Sequence, residues 1–278
     1  TIGQQAEVLL EETVKRIASL VAHWQSLGFI HGVMNTDNML LSGQTIDYGP
    51  CAFVDTYKAD AKFSAIDSQG RYRLSNQPGI AHWNTSVLAS CLLKVLNSEE
   101  DQAIAFAQAV IDEFPRWYAE AYKARMAAKL GLDAFREEDT ALVDNFLQTL
   151  ETDALDLTLA YRWLTHEALE DSHHTPMHQL FKPSDALLSW RTQWARRRAS
   201  NKASSEELNA RMVSANPVVI PRNHQVAAAI ADAEVGDYQT LHQAFERWQS
   251  PFSWETRDTE WAATPSLSEQ VTRTFCGT

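Results

Sequence analysis

The sequence predicts a mainly α fold with one small β-hairpin. Three observations carry that prediction. Only 10 glycines and 9 prolines occur in 278 residues, too few turn-makers for an all-β sandwich or barrel. Apolar residues recur at helical spacing through most of the chain. Hydrophobic residues make up 45% and charged residues 22%, a balance that buries a core rather than leaving the chain disordered.

The first element is AEVLLEETVKRIASLVAHWQSLGF, in which Val14, Ile17, Val21 and Trp24 share one helical face. Gly28 stands where a left-handed residue ends such a helix, with Phe29 beside it for the accompanying apolar contact. NMLL and QTIDY flank SGQ and read as the hairpin. Residues 54–79 carry turn formers and little periodicity, the pattern of a long ordered loop. From His82 the chain reads as helix almost to its end. HWNTSVLASCLLKVL is followed by SEEDQAIAFAQAVIDEF, with Ser98 as the expected N-cap and acids in its first turn. PRWYAEAYKARMAAKLGL lies between Pro115 and Gly131, the favoured asymmetry of helix ends. REEDTALVDNFLQTL, DALDLTLAYRWLTHEAL, ALLSWRTQWARRRAS, SEELNARMVSA, QVAAAIADAEVG and DYQTLHQAFERWQ continue the series. EDSHHTPMHQLFKPSD and the Pro-bounded NPVVIPRN interrupt it, and an irregular tail closes it. These patterns suggest two parts, residues 1–131 and 132–278.

The formal net charge is −12. Such a surface repels phosphate backbones, which argues against nucleic acid as a partner. Three cysteines, Cys51, Cys91 and Cys276, show no CxxC spacing and cannot build a disulfide framework. A reducing, cytoplasmic setting is the expectation. No apolar run reaches the length of a membrane span, so no membrane partner is expected. The chain opens on Thr1 inside a helical pattern, which suggests a piece of a longer protein.

The stretch HGVMNTDNMLLSGQTIDYGP, residues 31–50, gathers His31, Asn35, Asp37, Asn38 and Asp47 around one short turn. A helix, a loop with His, Asp and Asn, a hairpin and then Asp-aromatic-Gly follow one another in the order of a protein-kinase C-lobe. The kinase catalytic loop is H-R-D-x-x-x-x-N, followed by D-F-G. Laid on it without gaps, His31 takes the His position, Asn38 the metal-binding Asn position, and Asp47-Tyr48-Gly49 the place of D-F-G. A carboxylate and an amide suit Mg²⁺, which takes oxygen ligands. The catalytic Asp would fall at position 33, where Val33 stands. An apolar side chain cannot accept a proton, and Asp37 is the nearest spare carboxylate.

HGVMNTDN followed by TIDYGP resembles the signature of the selenoprotein O family, pseudokinases that transfer AMP. SQGRYRLSNQPGIAHWN and NPVVIPRNHQVAAAI are similar to family segments too, so the resemblance covers nearly the whole chain. It implies a protein adenylyltransferase (AMPylator) acting on Ser, Thr or Tyr hydroxyls of proteins. ATP is the substrate, with Mg²⁺ or Mn²⁺ as cofactor, in a kinase-like C-lobe followed by a helical extension. Carried over by position, Asp37 is the proton acceptor, Asn38 and Asp47 are the metal ligands, and Asp47 also lies near the nucleotide. GxGxxG and the V-A-I-K lysine, which belong to an N-terminal lobe, are not in this sequence. The resemblance thus casts the chain as a C-terminal portion, with little or no activity alone. Two other classes remain open. A non-catalytic pseudokinase module would bind a partner protein. A small-molecule kinase would explain His-Gly, but those keep an Asp directly after it, and Val33 counts against them.

Other features read more plainly. His31 is expected to be structural. His173, His174 and His178 match no strong zinc spacing. Arg196–Arg198 read as a polar helix face. Trp24, Trp83, Trp117, Trp163, Trp190 and Trp194 read as core, and Cys51 and Cys91 as buried thiols. Cys276, near a terminus, is the expected exposed and reactive thiol, a role the family resemblance also suggests. Arg71 and Arg73 would meet either a phosphate, a substrate or a structural partner.

Overall fold

The computed structural model describes residues 1–169, 177–254 and 260–275. Among them the chain is mainly helical, and regular strand is confined to two two-residue pieces, Phe29–Ile30 and Ala52–Phe53. No helix among the described residues is long and apolar enough to cross a membrane. The chain divides into two compact units. One comprises Thr1–Cys51, Asp60–Lys123 and the stretch from Arg273; the other comprises Ala52–Ala59 and Ala124–Thr272.

In the first unit, α1 (Ile2–Leu27), α2 (Gln77–Leu96) and α3 (Glu100–Asp112) pack together. The apolar face of α1 buries Leu10, Val14, Ile17, Val21 and Trp24, as the periodicity requires. Gly28 ends it in the left-handed conformation, φ 69°, and its N–H returns to the Gln25 carbonyl. Helix α2 starts five residues before the expected His82. Pro78 sits in its first turn, where a missing N–H costs nothing. The N-cap of α3 is Glu99, not Ser98. The Asn97 side chain accepts from the Glu99 N–H and sets the chain's entry to that helix. Cys91 is exposed on α2 rather than buried. It lies two residues past buried Ala89, about 200° around the helix, so apolar sequence neighbours do not share its face. Trp83 is likewise 50% exposed.

Helix α4 (Phe114–Lys129) leads to the second unit's helices: α5 (Asp139–Thr152), α6 (Leu157–Leu169), α7 (Met177–Leu180), α8 (Asp185–Ala199), α9 (Ser205–Ala215), α10 (Asn223–Glu234) and α11 (Gln239–Trp248). Every residue of α6 from Leu157 to His166 is buried, the property of a central helix. Phe146 of α5 lies 4.9 Å from the Tyr161 ring and 4.6 Å from the Trp190 ring. The indole N–H groups of Trp190 and Trp194 donate to the carbonyls of Leu142 and Leu130, so neither is left unpaired in the core. Arg197 turns inward from the expected polar face of α8. Its Nε lies 2.6 Å from the buried Asp139 carboxylate. Residues 216–222 form no regular element and, Pro221 apart, are buried. Val218 N–H donates to the Pro251 carbonyl, and Arg222 pairs with Asp156 at 2.8 Å and with Asp55. His173, His174 and Cys276 lie outside the described residues.

Lys129 is 2% exposed, with its ammonium 4.0 Å from the Tyr161 ring centre and 3.4 Å from the Ala215 carbonyl. Burial lowers its pKa from 10.5 to about 7. The unfolded chain therefore holds one more proton than the folded chain between about pH 7 and pH 10.5, and stability rises with pH across that window. We expect Lys129→Met to raise the unfolding free energy at pH 6 by on the order of 3 kcal/mol, with the gain shrinking towards pH 10. Urea titrations of both proteins across that range check it; a gain independent of pH would show that Lys129 keeps its proton in the folded chain throughout, with an unshifted pKa.

Candidate functional site

The candidate site is built on the turn after α1. His31 is fully buried, and its backbone N–H donates to Gln77 Oε1 at 2.9 Å. Gln77 Nε2 in turn donates to the Phe29 carbonyl at 2.9 Å. One glutamine side chain thus replaces a strand partner on both sides of Ile30. Gly32 follows with φ 84°, and a Cβ there would stand 2.7 Å from the Pro50 carbonyl oxygen. Only glycine fits that approach.

The His31 ring ties the turn together. Its Nδ1 accepts from the Val33 N–H at 3.3 Å, which leaves the proton on Nε2. Nε2 faces the Ile46 carbonyl at 3.0 Å and the Thr45 hydroxyl at 2.8 Å. Burial lowers the His31 pKa and keeps the ring neutral. Thr45 donates to the Asn38 carbonyl at 2.8 Å. Asn38 closes a 3₁₀ turn, Thr36–Asn38, and Ile46 N–H returns to its carbonyl at 3.3 Å. The expected hairpin is a single antiparallel bridge, Met39 with Thr45, closed by Leu40 N–H to Gln44 O at 3.0 Å.

This architecture brings two of the three expected site residues into contact. Asn38 Nδ2 donates to the Val33 carbonyl at 2.8 Å and to Asp47 Oδ2 at 3.2 Å. With both amide protons used, Oδ1 is the atom Asn38 can offer a cation. Asn38 is 7% exposed, whereas Asp47 is exposed and holds φ 64°. That conformation is unusual outside glycine, and Asp is one of the few residues that tolerate it. Asp37, beside Asn38, points no farther than the exposed surface of the turn. Val33 is 6% exposed and joins the core.

An anionic carboxylate and an amide oxygen on adjoining turns fit a hard divalent cation, which takes one or two carboxylates and completes its shell with water and phosphate. Among the described residues no group of three or more His, Cys, Asp or Glu is placed to hold a metal. Four residues that shape the site escaped sequence reasoning: Gln77, Thr45, Tyr72 and Asn84. Tyr72 donates its hydroxyl to Asn35 Oδ1 at 2.7 Å, and Asn84 Nδ2 donates to the Met34 carbonyl at 3.0 Å. The partners of Gln77, Tyr72 and Asn84 lie tens of residues away, those of Thr45 within the motif itself, and only the Gln-Pro-Gly helix start at 77–79 left a local trace.

A helical chain with a His–Asn–Asp turn of this kind has known relatives. Residues 3–249 match the family model described as protein adenylyltransferase SelO. The protein nucleotidyltransferase YdiU of Anoxybacillus flavithermus is 44% identical over 271 residues, which are 97% of this chain and 54% of that protein. YdiU of Geobacillus kaustophilus is 42% identical over the same shares, and YdiU of Agrobacterium fabrum is 40% identical over 97% of this chain and 55% of its own length. The chain belongs to the SelO family. It spans about half the length of the curated relatives it matches.

The buried turn makes a stability prediction. Gly32→Ala should cost about 2 kcal/mol or more, from the left-handed backbone and the Pro50 contact together. Chemical denaturation checks it; an unchanged midpoint would mean that the turn relaxes freely.

Proposed function

We propose that this chain is the part of a protein adenylyltransferase that carries its proton acceptor and its metal ligands. The 3.2 Å pairing of Asn38 with Asp47, directly beside an exposed Asp37 and above a buried Val33, is the observation that carries the reading. Family membership supports it. On this reading the first unit is a kinase-like C-lobe, with the catalytic aspartate position emptied of its carboxylate and the neighbouring Asp37 in its place.

The residues divide the work. Asp37 takes the proton from a Ser, Thr or Tyr hydroxyl of the acceptor protein. The freed oxygen attacks the α-phosphorus of ATP, the bond from that phosphorus to the bridging oxygen breaks, and pyrophosphate leaves with the electron pair. Asn38 Oδ1 and the Asp47 carboxylate would hold Mg²⁺ or Mn²⁺, whose chemistry is to offset charge on the phosphate oxygens. His31 does not act as a base, because its ring is buried and both nitrogens are committed, to Val33, Ile46 and Thr45. It holds Asn38 and Asp47 in register instead. ATP and hydroxyl-bearing proteins are the partners this reading requires, in a reducing bacterial cytoplasm.

The test uses the full-length parent with ATP labelled at the α- or the γ-phosphate. Label from the α position alone, lost in Asp47→Ala, is the expected outcome. Label from γ would make the protein a kinase, and no label with intact folding would make it a binding module. Asp37→Asn should lower the transfer rate by roughly 10²-fold or more. The isolated 278-residue chain is expected to give little or no transfer, and robust incorporation by it would refute that part.

A further inference from the structure

Arg71 is an exposed cation with no ion-pair partner among the described residues, in a chain of net charge −12. Its place is nonetheless built. The Asp67 carboxylate, 8% exposed, accepts from the backbone N–H groups of Arg71 and Tyr72 at 2.7 and 2.8 Å. Asn76 Nδ2 donates to the Arg71 carbonyl. The backbone is thus pinned on both sides of the residue. The guanidinium lies over two rings, 5.1 Å from the centre of Trp83 and 5.8 Å from that of Tyr72. Trp83 remains 50% exposed. A large aromatic left in solvent under an unpaired arginine is an arrangement that a binding partner covers.

Its position says which partner. Tyr72 binds Asn35, the residue that caps the turn holding Asp37. Asp47 is joined to the other end of that turn, through Asn38. The arginine shelf is therefore tied to the Asn35 end of the turn, two residues before Asp37 in sequence, whereas Asp47 is tied to its Asn38 end; on the transferase reading the hydroxyl-bearing chain approaches at Asp37. We propose that Arg71, on its shelf of Tyr72 and Trp83, binds a carboxylate of the acceptor protein close to the hydroxyl to be modified, so that acidic segments are preferred acceptors. This rests on the transferase reading above. A guanidinium that already lies over two rings on a pinned backbone loses less freedom when it pairs with a carboxylate, which favours specificity at this point.

Fluorescence anisotropy tests it. A dye-labelled peptide with a tyrosine between glutamates is titrated with the chain, beside the same peptide with glutamine for each glutamate. The glutamate peptide should bind at least about five-fold more tightly at low salt, with the preference fading as salt screens the pair. Arg71→Gln should abolish the preference, Arg71→Lys should keep part of it, and Trp83→Ala should weaken both peptides. Equal binding of the two peptides by the unaltered chain would overturn the proposal. So would a loss in Arg71→Gln of fluorescent ATP-analogue binding with peptide binding intact, which would assign Arg71 to the nucleotide. If Arg71→Gln fails to fold by circular dichroism, the two peptides on the unaltered chain and on Arg71→Lys decide. A glutamate preference without α-label transfer in the full-length parent would leave this inference standing and refute the transferase. Transfer without the preference would do the reverse.

Discussion

The buried imidazole of His31 is the interaction on which the candidate site depends. It accepts one backbone N–H and faces one carbonyl and one hydroxyl, from Val33, Ile46 and Thr45. Through Thr45 it also fixes the carbonyl of Asn38. Each of these groups would cost about 1–3 kcal/mol if left unpaired in the interior. The short bridge between Met39 and Thr45 is too small to hold its own register. The imidazole and the Thr45 hydroxyl hold it, and so set the distance from Asn38 to Asp47. Gln77 extends the same network to α2, because its amide closes both sides of Ile30.

Buried and solvent-facing groups are separated within a few residues. Val33, Met34 and Asn38 are buried, whereas Asp37 and Asp47 face solvent. Asp47 holds a left-handed backbone that would cost about 1–2 kcal/mol in an unconstrained chain. Hydrogen bonds around it, from Ile46 N–H to Asn38 O and from Asn38 Nδ2 to its own carboxylate, determine that conformation. The loop of residues 54–73 is ordered by the same means. Lys62 donates to the carbonyls of Asp67 and Ser68, and Asp67 caps the Arg71 and Tyr72 N–H groups.

The second unit meets a different constraint, the desolvation of charge. Arg222 is 1% exposed and lies between two carboxylates, and Arg197 lies on buried Asp139. Among the described residues Lys129 meets a ring face and a carbonyl but no carboxylate, and burial lowers its pKa. The carboxylates beside Arg222 favour its charged form, whereas burial without one makes Lys129 release its proton more readily.

Local pattern alone located most helices. The face of α1, its end at Gly28 and the limits of α9 at Ser205–Ala215 follow from spacing and capping chemistry, because those interactions span only a few residues. The motif from His31 to Asp47 was legible as a motif, and its contact between Asn38 and Asp47 could be anticipated from the hairpin. Other features were decided only by the tertiary structure. Gln77 and Tyr72 read as ordinary polar residues until the backbone around Ile30 and the Asn35 side chain, tens of residues away, needed partners, and Thr45 until the His31 ring was brought to it. Cys91 and Trp83 sit in apolar runs yet face solvent, and Arg197 sits in a basic run yet faces the core. The sequence determines periodicity and capping through neighbours along the chain. Which face is covered, and which polar group answers which, depends on segments far apart in sequence that only folding brings together.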